Sequence, residues 1–340
     1  MYRSFYRLGG GDIPAEEEKV EKQVAKKKKA GWSANQKRKI MKALFIISFT
    51  IIPIIHFCIF YIYANLDSFV MAFQTPENGK VVFCGFDNFL WVFDKIKNGS
   101  TEPTDDLRRA FINTFITFGI QIVMLPVSLF ISYFIYKKIR GYKVFRVLFY
   151  IPSLVSAVVV CLFYTELVGP TGPVAHLLKY IYKLDYLPSP LTDERFANAM
   201  IFINIIWLGF PGNLIIWGGA FSRIPDSIIE SAKMDGVGWV REMFQIILPL
   251  VWPTFVLVVV TQLAGMFGAS GNVFLLTGGK SGTQTISNWM YQRIQQATIP
   301  ERSPNIYRVS AMGLMLTAVS CVIAFTVKHF LTSRIEETTY

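Results

Sequence analysis

Long apolar stretches alternate with short polar segments along most of this chain. A hydrocarbon core of roughly 30 Å takes about 20 helical residues to cross. Six stretches near that length contain no Asp, Glu, Lys or Arg: Ala43 to Leu66, Ala110 to Tyr136, Val147 to Thr165, Phe196 to Ser222, Val251 to Leu276 and Val309 to Val327. None shows the alternation of a barrel strand, and backbone groups inside lipid need internal partners. The pattern therefore predicts six transmembrane helices.

The composition supports the same class of protein. Hydrophobic residues make up 52% of the chain and charged residues only 17%, and the mean hydropathy is +0.40. A soluble domain carries more charge and less apolar surface than this. The predicted fold class is an all-α integral membrane protein.

The distribution of lysine and arginine predicts the orientation, because cytoplasmic segments retain positive charge. With the N-terminus inside, 22 of the 34 lysine and arginine residues fall in cytoplasmic segments. These segments are Met1 to Lys42, Lys137 to Arg146, Arg223 to Arg241 and Lys328 to Arg334. Both termini are therefore predicted to be cytoplasmic. Topology signals and contacts with anionic membrane lipid account for the net charge of +11, so no nucleic-acid partner is predicted.

The same pattern divides the chain into a polar tail, a membrane domain and a second short tail. Residues 1–39 are polar and are expected to be flexible, since they can bury little apolar surface. Residues 40–334 form the predicted transmembrane domain, and residues 335–340 form a cytoplasmic C-terminal tail. Within the membrane domain we expect an external loop at 66–109 and a cytoplasmic loop at 223–250.

No catalytic or metal-binding motif is recognisable in the sequence. The three histidines are dispersed, and the four cysteines lack C-x-x-C spacing. Gly279-Lys280-Ser281 resembles the end of a phosphate-binding loop, but Phe274 occupies the position that requires glycine. No G-x-S-x-G sequence is present. We therefore predict no catalytic residue, no metal site and no cofactor bound by this chain, so any energy it uses is expected to come from a partner.

The cytoplasmic loop between the fourth and fifth spans has an unusually specific sequence, ESAKMDGVGWVREMFQIILP, from Glu230 to Pro249. A helix-favouring run ends at Asp235 and is followed by Gly236 and Gly238. A second run, from Trp239 to Leu248, has apolar residues at helical spacing. The pattern predicts two short helices joined at a glycine elbow. An amphipathic turn lying at the membrane interface is the alternative interpretation.

This stretch resembles the EAA loop in the permease subunits of binding-protein-dependent ABC importers. The loop pattern is E-A-A, three residues, G, nine residues, I, one residue, L-P, and every spacing is matched. The one departure is a serine in place of the first alanine, which is a small-for-small change. Together with an aspartate that is a common variant, the matching residues are Glu230, Ser231, Ala232, Asp235, Gly236, Ile246, Leu248 and Pro249.

Two shorter elements and the number of spans extend the resemblance. Phe86-Asp87-Asn88-Phe89 and Leu275-Leu276-Thr277-Gly278-Gly279 are similar to elements of the MalF-like branch, which imports sugars. Six spans, cytoplasmic termini and a long first external loop also fit that branch. The resemblance covers Lys42 to Arg334 and implies the transmembrane domain of a type I ABC importer.

The resemblance implies a set of partners and a way of using energy. The chain is expected to lie in the bacterial cell membrane as a multi-pass protein, with a second and different permease subunit, two cytoplasmic ABC ATPase subunits and an extracytoplasmic solute-binding protein. The ATPases would use ATP and Mg²⁺, so this chain itself is expected to be non-catalytic. Glu230 to Gly236 would seat in an ATPase as a coupling helix, and Gly236 would permit an elbow that a side chain would obstruct.

The resemblance points to carbohydrate, an oligosaccharide or a sugar derivative, as the cargo. An importer of glycerol phosphate or peptide is the alternative within the same class, and a membrane channel is the alternative outside it. Sugars are held by aromatic stacking and amide hydrogen bonds. Side chains of these types within the spans are candidates for the substrate path, although helix–helix hydrogen bonding or an interfacial tryptophan would also explain them. They are Asn204, Trp207, Asn213, Gln262 and Asn272.

Overall fold

The computed structural model describes residues 34–77, 80–99, 106–183, 189–268, 272–297 and 304–333. Residues 1–33 of the predicted N-terminal tail (1–39) and the whole predicted C-terminal tail (335–340) lie outside these residues. The chain divides into two compact units, residues 1–67 and residues 68–340, and each is described by itself.

Helices dominate the described residues. They are α1 Ala34–Phe57, α2 Ala64–Ala72, α3 Asp87–Asn98, α4 Leu107–Tyr136, α5 Tyr142–Leu154, α6 Ala157–Val168, α7 Pro173–Tyr182, α8 Ala197–Phe221, α9 Asp226–Met234, α10 Trp239–Glu242, α11 Leu248–Ala264, α12 Val273–Leu276, α13 Ile286–Ala297 and α14 Pro304–Thr332. Cys58–Tyr63 and Met243–Ile247 are π-helical, and Met266–Gly268 is a 3₁₀ turn. Strands β1 (Gln74–Glu77) and β2 (Lys80–Phe83) pair antiparallel.

Six helical stretches of the described residues are long and apolar enough to cross a membrane. They are Asn35–Ala72, Leu107–Tyr136, Ala157–Tyr182, Ala197–Phe221, Trp239–Ala264 and Pro304–Thr332. The predicted fold class, an all-α membrane protein with six spans, is confirmed. The predicted boundaries of three spans are wrong, and each difference has a physical reason.

The first helical stretch is longer than predicted at both ends. It begins at Ala34, so residues 34–39, which the sequence placed in the polar tail, are helical. Lysine, arginine and glutamine, which fill this segment, are good helix formers in spite of their polarity. At the other end the helix continues to Ala72, and the predicted external loop begins there instead of at Leu66.

The predicted third span, Val147 to Thr165, is broken in the middle. Val155 and Ser156 separate α5 from α6 and have extended ψ angles of 146° and 135°. The Ser156 carbonyl accepts a hydrogen bond from the Val160 amide at 3.0 Å and so begins α6. Serine is a favoured residue at this position before a helix. Hydropathy does not detect the break, because the residues on both sides of it are apolar.

The fifth span begins and ends earlier than the predicted Val251 to Leu276. α10, the π-helical turn and α11 form one continuous helix from Trp239 to Ala264, so the predicted short helix Trp239 to Leu248 is not separate. Pro249, which lacks an amide hydrogen, lies two residues after the end of the widened π-helical turn. The proline therefore marks a change of helical pitch within the span.

A buried cluster in the second unit joins α4 and α8 to the helix that begins within the second half of the predicted coupling loop, residues 223–250. Its largest members are Leu125, Leu129, Tyr133, Trp217, Phe221, Met243 and Ile247. The Trp217 indole donates to Ser128 Oγ at 2.9 Å, so its buried N–H is satisfied. The outer faces of the spans expose large apolar side chains, such as Val322 and Phe325, as expected for surfaces in contact with lipid.

A second cluster lies at the other end of α4. The first turns of α4 and α14 pack there against α3 and α13, through buried residues that include Val92, Leu107, Ala110, Trp289 and Met312. The second unit thus has a side that carries the predicted coupling loop and an opposite side that carries α3 and the β-hairpin.

Candidate coupling loop and substrate cavity

The first helix of the predicted coupling loop, α9, has a buried face and an exposed face. It follows Pro225, whose backbone is extended, and it ends at Met234. Ile229 and Ala232 are buried against the rest of the chain, while Glu230 and Ser231 are exposed. Ala232 therefore positions the helix, and the residues around it form its outer surface.

The turn after α9 requires a glycine because of its backbone conformation. Gly236 has φ +68°, in the left-handed region, and the Val237 amide donates to the Ala232 carbonyl at 3.0 Å. A Cβ added at Gly236 would meet no atom within 4 Å. The expectation that Gly236 permits the elbow agrees with this left-handed backbone, which strains a residue with a side chain even where there is space for it. Gly238 has an ordinary φ of −70°, so the elbow depends on one glycine.

The tip of the loop exposes an apolar side chain that the sequence did not single out. Met234 is 88% exposed and lies next to Asp235 and Gly236, which are also exposed. A large methionine surrounded by polar residues is an adaptable contact for a partner surface. The only feature of the sequence that could have identified Met234 is its position within the loop motif.

The residues at the end of the motif lie in and just after the π-helical turn. Ile246 and Leu248 are half-buried and Pro249 is exposed. Ile247, which the motif does not include, is completely buried. The widened turn shifts which side chains face the core, and a regular helical period does not predict this shift.

A buried ion pair fixes the second half of the loop to α4. Lys137 Nζ lies 2.8 Å from both carboxylate oxygens of Glu242, and the side chains are only 23% and 4% exposed. Tyr133 Oη also donates to the Trp239 carbonyl, at 3.4 Å. The sequence analysis singled out neither Lys137 nor Glu242, because their 105-residue separation gives no local pattern.

Aromatic contacts strengthen the same junction. The rings of Phe134 and Trp239 lie 5.6 Å apart, and those of Phe130 and Phe244 form an edge-to-face pair, also at 5.6 Å. These contacts pack the first turns after Gly238 against the end of α4.

A cavity of about 330 Å³ lies between the middle of α4, the middle of α8 and the segment that follows α11. Its lining residues are Gln121, Met124, Ile205, Leu208, Gly209, Asn213, Gln262 and Asn272. Three of the five predicted substrate-path residues, Asn213, Gln262 and Asn272, meet in this cavity. The sequence analysis missed Gln121 on α4, because a single amide in an apolar span was not distinctive.

The other two predicted path residues behave differently. Asn204 is fully buried behind the cavity wall, and its Oδ1 accepts a hydrogen bond from Asn272 Nδ2 at 3.3 Å. Trp207 does not line the cavity. Its ring is stacked on Tyr164 at a centroid distance of 6.2 Å, which fits the alternative of helix–helix packing.

Two buried amide atoms at this site have no partner among the residues that the structure describes. They are Asn204 Nδ2, a donor, and Gln262 Oε1, an acceptor. A buried polar atom without a partner costs about 1–3 kcal/mol. Of the two, Gln262 lines the cavity and can meet a bound polar molecule, whereas Asn204 does not line it.

On the opposite side, amide side chains hold the segment Thr277 to Gly282 in place. Gln292 Nε2 donates to the Gly278 carbonyl at 2.6 Å, and Asn113 Nδ2 donates to the Gly282 carbonyl at 2.8 Å. A Cβ at Gly279, where φ is +82°, would clash with Asn288 Oδ1.

A neighbouring polar segment packs on the same loop. Ser281 Oγ donates to the Thr192 carbonyl at 2.9 Å. The Arg195 guanidinium donates to both carboxylate oxygens of Asp193, at 3.0 and 2.6 Å, and lowers the pKa of that carboxyl. The ion pair in turn raises the pKa of Arg195. Both groups therefore stay charged at neutral pH.

Within the described ranges, no three His, Cys, Asp or Glu side chains are close enough to hold a metal ion. The predictions that this chain has no catalytic residue, metal or cofactor remain predictions.

Comparison with known proteins identifies the family. A family model described as "Binding-protein-dependent transport system inner membrane component" matches residues 124–337. The galactooligosaccharides transport system permease protein GanP of Bacillus subtilis is 23% identical over 271 residues, which are 75% of this chain and 62% of GanP. The maltose/maltodextrin transport system permease protein MalF of Vibrio vulnificus is 29% identical over 215 residues, which are 61% of this chain and 39% of MalF.

A solved structure supports the fold. A chain of a bacterial alginate ABC transporter, in complex with an alginate pentasaccharide-bound periplasmic protein, superposes with a TM-score of 0.68 at 22% identity. The match covers 89% of this chain and 99% of that chain. The family match includes more than half of the chain, with the EAA loop and almost all of the cavity. The chain therefore belongs to the family of binding-protein-dependent transport system inner membrane components and is a multi-pass protein of the bacterial inner membrane.

Proposed function

We propose that this chain is the transmembrane permease subunit of an ABC importer that takes up a carbohydrate by ATP-driven alternating access. The observation that carries the proposal is the family match at 124–337, because this region contains the EAA loop and every cavity-lining residue except Gln121. Both parts that an importer needs, a place for cargo and a connection to an energy source, therefore lie in one matched region.

The chemistry of the cavity favours an uncharged, hydroxyl-rich cargo. Amide side chains from Gln121, Asn213, Gln262 and Asn272 line it, and none of its lining residues is charged. A sugar hydroxyl can both donate and accept a hydrogen bond, so it can pair with the amide groups that line the cavity, including Gln262 Oε1. A phosphate ester or a peptide terminus would call for a cation or an anion in the site. The sugars in the names of the relatives point in the same direction.

The proposed energy input enters at the outer face of α9. Glu230, Ser231, Met234, Asp235 and Gly236 are exposed there, and we assign them to contact with a cytoplasmic ABC ATPase. ATP and Mg²⁺ belong to two such ATPase subunits, and this chain contributes no catalytic group. On this proposal the coupling-loop side and both termini are cytoplasmic.

The path from the ATPase to the cargo follows continuous structure. Displacement of α9 reaches α10 through the Gly236 turn, and the Lys137–Glu242 pair carries α4 along with it. The helix from Trp239 to Ala264 then extends to Gln262 at the cavity. Docking and cargo binding can thus favour different states of the same helices, which is the requirement for alternating access.

The remaining partners complete the proposed importer. A second, different permease subunit would pair with this chain in the membrane. A solute-binding protein would deliver cargo on the opposite side, where α3 and the Thr277 to Gly282 segment lie.

A ligand screen tests the cargo assignment. The partner solute-binding protein is screened by thermal shift against sugars, amino acids and phosphate esters. The expected result is stabilisation by an oligosaccharide, and the same sugar should stimulate ATP hydrolysis by the reconstituted importer. A response to phosphate esters or amino acids alone would contradict the carbohydrate assignment.

Matched variants connect the cargo to the cavity. Gln262→Met removes the acceptor in the cavity, and a neutral hydrogen bond contributes about 0.5–1.5 kcal/mol, so the KM for uptake should rise about 2- to 10-fold. Gln245→Met makes the same change at an exposed position away from the cavity and should leave the KM unchanged. An equal effect of both variants would remove the cavity from the proposal.

A further inference from the structure

Helix α3, on the side opposite the predicted coupling loop, carries a mostly apolar stripe whose side chains are exposed in the described chain. On its buried face, Val92 and Ile96 pack on the second cluster of the core, and Asn88 donates to the Ala72 and Gln74 carbonyls. The stripe Phe86, Leu90, Phe93 and Lys97 lies on the other side of the helix, at spacings of four, three and four residues. The fold of a short amphipathic helix requires only the buried face and not the exposed stripe.

A third, polar face separates the stripe from the core on one flank of the helix. Asp87, Asp94 and Asn98 recur at spacings of seven and four and are exposed. The helix is therefore three-sided, with one face on the protein, one apolar face and one acidic face. If water surrounded all of the exposed surface of the helix, its apolar and acidic residues would not need to lie on separate faces.

The hairpin before α3 continues the apolar stripe. Val81 and Phe83 occupy alternate positions on β2, so their side chains point to the same face of the strand. Both are exposed, and the rings of Phe83 and Phe86 both contact Phe73, at 6.4 and 5.6 Å. Val81, Phe83, Phe86, Leu90 and Phe93 form one patch, in which the four largest side chains are 59 to 78% exposed.

The packing of α3 places this patch at the end of the membrane spans. Val92 is buried against Leu107 and Ala110, which form the first turn of α4, and against Val309, near the start of α14. Phe73, at the centre of the aromatic contacts, also lies 5.3 Å from the ring of Phe69 in the last turns of the first span. The patch is therefore continuous with side chains that face the lipid.

We propose that the three-sided helix α3 and the β-hairpin lie at the membrane–water interface on the side of the membrane opposite the predicted coupling loop. The patch Val81, Phe83, Phe86, Leu90 and Phe93 is inserted there among the lipid chains. Aromatic and aliphatic side chains beside a span end are typical of this interface. Lys97, at the end of the stripe, can extend its ammonium group to a lipid phosphate. Asp87 and Asp94, on the acidic face, turn toward water and away from the phosphates.

Spin labelling of the assembled importer in liposomes tests this proposal, with equal parts of phosphatidylcholine and phosphatidylglycerol as the lipid. Single cysteines replace Leu90, Phe93, Asp87 or Asp94 in a chain whose native cysteines are changed to serine or alanine. Phe93→Cys and Asp94→Cys are a matched pair, because they are adjacent and face different sides of the helix. Each nitroxide is measured for collision with oxygen, which concentrates in lipid, and with a nickel chelate, which stays in water.

We expect labels at positions 90 and 93 to show an oxygen-to-nickel ratio several-fold higher than labels at 87 and 94, with or without the solute-binding protein. Equal ratios at 93 and 94 would place the stripe in water and overturn the proposal. Nickel access at 90 and 93 that disappears only when the solute-binding protein is added would make the patch a protein-docking surface, which also overturns it. The readout needs no cargo or uptake, so its failure would leave the proposed function untouched.

Discussion

Gly236 is the residue on which the shape of the predicted coupling loop depends most directly. Its φ of +68° is a left-handed conformation, which costs most other residues about 1–2 kcal/mol. Asparagine adopts it more readily than other residues with a side chain. The open space around the missing Cβ means that size alone does not exclude a side chain within this chain.

Three substitutions at Gly236 separate backbone strain from docking. Gly236→Asn should retain most uptake, and Gly236→Ala should lower the stability of the loop by about 1 kcal/mol. Gly236→Trp adds a large group to the exposed tip, so it should also abolish co-purification of the ATPase. Pull-down through a tag on this chain, together with uptake, measures both effects. If Gly236→Trp keeps the ATPase bound and uptake intact, this surface is not the docking surface.

The Lys137–Glu242 pair offers a second prediction at the residue scale. Removing one partner of a buried pair costs about 3–5 kcal/mol, because a charge remains without compensation. Lys137 keeps some contact with solvent, so we expect Glu242→Leu to fall at the lower end of this range. The double variant Lys137→Met with Glu242→Leu should recover most of the lost stability. Thermal unfolding of the detergent-solubilised protein provides the measurement, and simple additivity of the two single effects would show that the residues are not coupled.

The site residues show what a sequence can indicate at this scale. Asn213, Gln262 and Asn272 were predictable because amides stand out within apolar spans, and they do meet in one cavity. From the sequence, Trp207 was an equally suitable candidate, but its ring stacks on Tyr164. Whether this side chain faces the cavity or a neighbouring helix depends on the rotation of α8 about its axis. Lys137 and Glu242 could not be paired in advance, because the contact depends on the tertiary packing of two helices.

At the scale of elements, the π-helical turn Met243–Ile247 sets the phase between the loop and the span. It accommodates one more residue than a regular turn, so it rotates α10 relative to α11 by about 100°. The hydrophobic pattern predicted that this region is helical. It did not predict the wide turn, which leaves Ile246 half-buried and Ile247 completely buried.

Deleting Gln245 tests the importance of this phase. The deletion should convert the wide turn to a regular one, turn Glu242 away from Lys137 and reduce uptake by at least tenfold while the chain still inserts in the membrane. Gln245→Ala removes only an exposed hydrogen bond with Arg241 and serves as the control. Normal uptake by the deletion variant would mean that the phase of α10 does not matter.

Other element boundaries were predictable to different degrees. Six apolar stretches of sufficient length gave the correct number of spans, because the lipid core imposes a minimum length on each helix. The break at Val155 and Ser156 and the end of α11 near Gly265 were not predicted. Both lie within uninterrupted apolar sequence, where backbone conformation and not hydropathy ends the helix.

At the scale of the whole molecule, the ends of the helices in the second unit provide a test of topology. The Trp252 indole, near the start of α11, donates to the Leu331 carbonyl at 3.1 Å, so α14 ends on the coupling-loop side. Asp94 on α3 lies on the opposite side. With the predicted orientation, the coupling-loop side faces the cytoplasm.

Single cysteines at Asp235, Ser333 and Asp94, in a chain without native cysteines, can be labelled with a membrane-impermeant maleimide. We expect Asp235→Cys and Ser333→Cys to react only in inside-out vesicles, and Asp94→Cys only in intact spheroplasts. The charge distribution predicts this result, since most lysine and arginine lies in segments assigned to the inside. Labelling of Asp235→Cys from outside would reverse the orientation.

The two left-handed glycines described above differ in what natural variation can do at each position. Within this chain, Gly236 is restricted by its backbone alone, so a change to asparagine or aspartate, which tolerate this conformation best, displaces no neighbouring side chain. Gly279 is restricted by its backbone and also by the Asn288 side chain against it, so no single substitution relieves both constraints. A variant at Gly279 in a natural isolate should therefore occur together with a smaller residue at position 288, whereas a variant at Gly236 should occur alone.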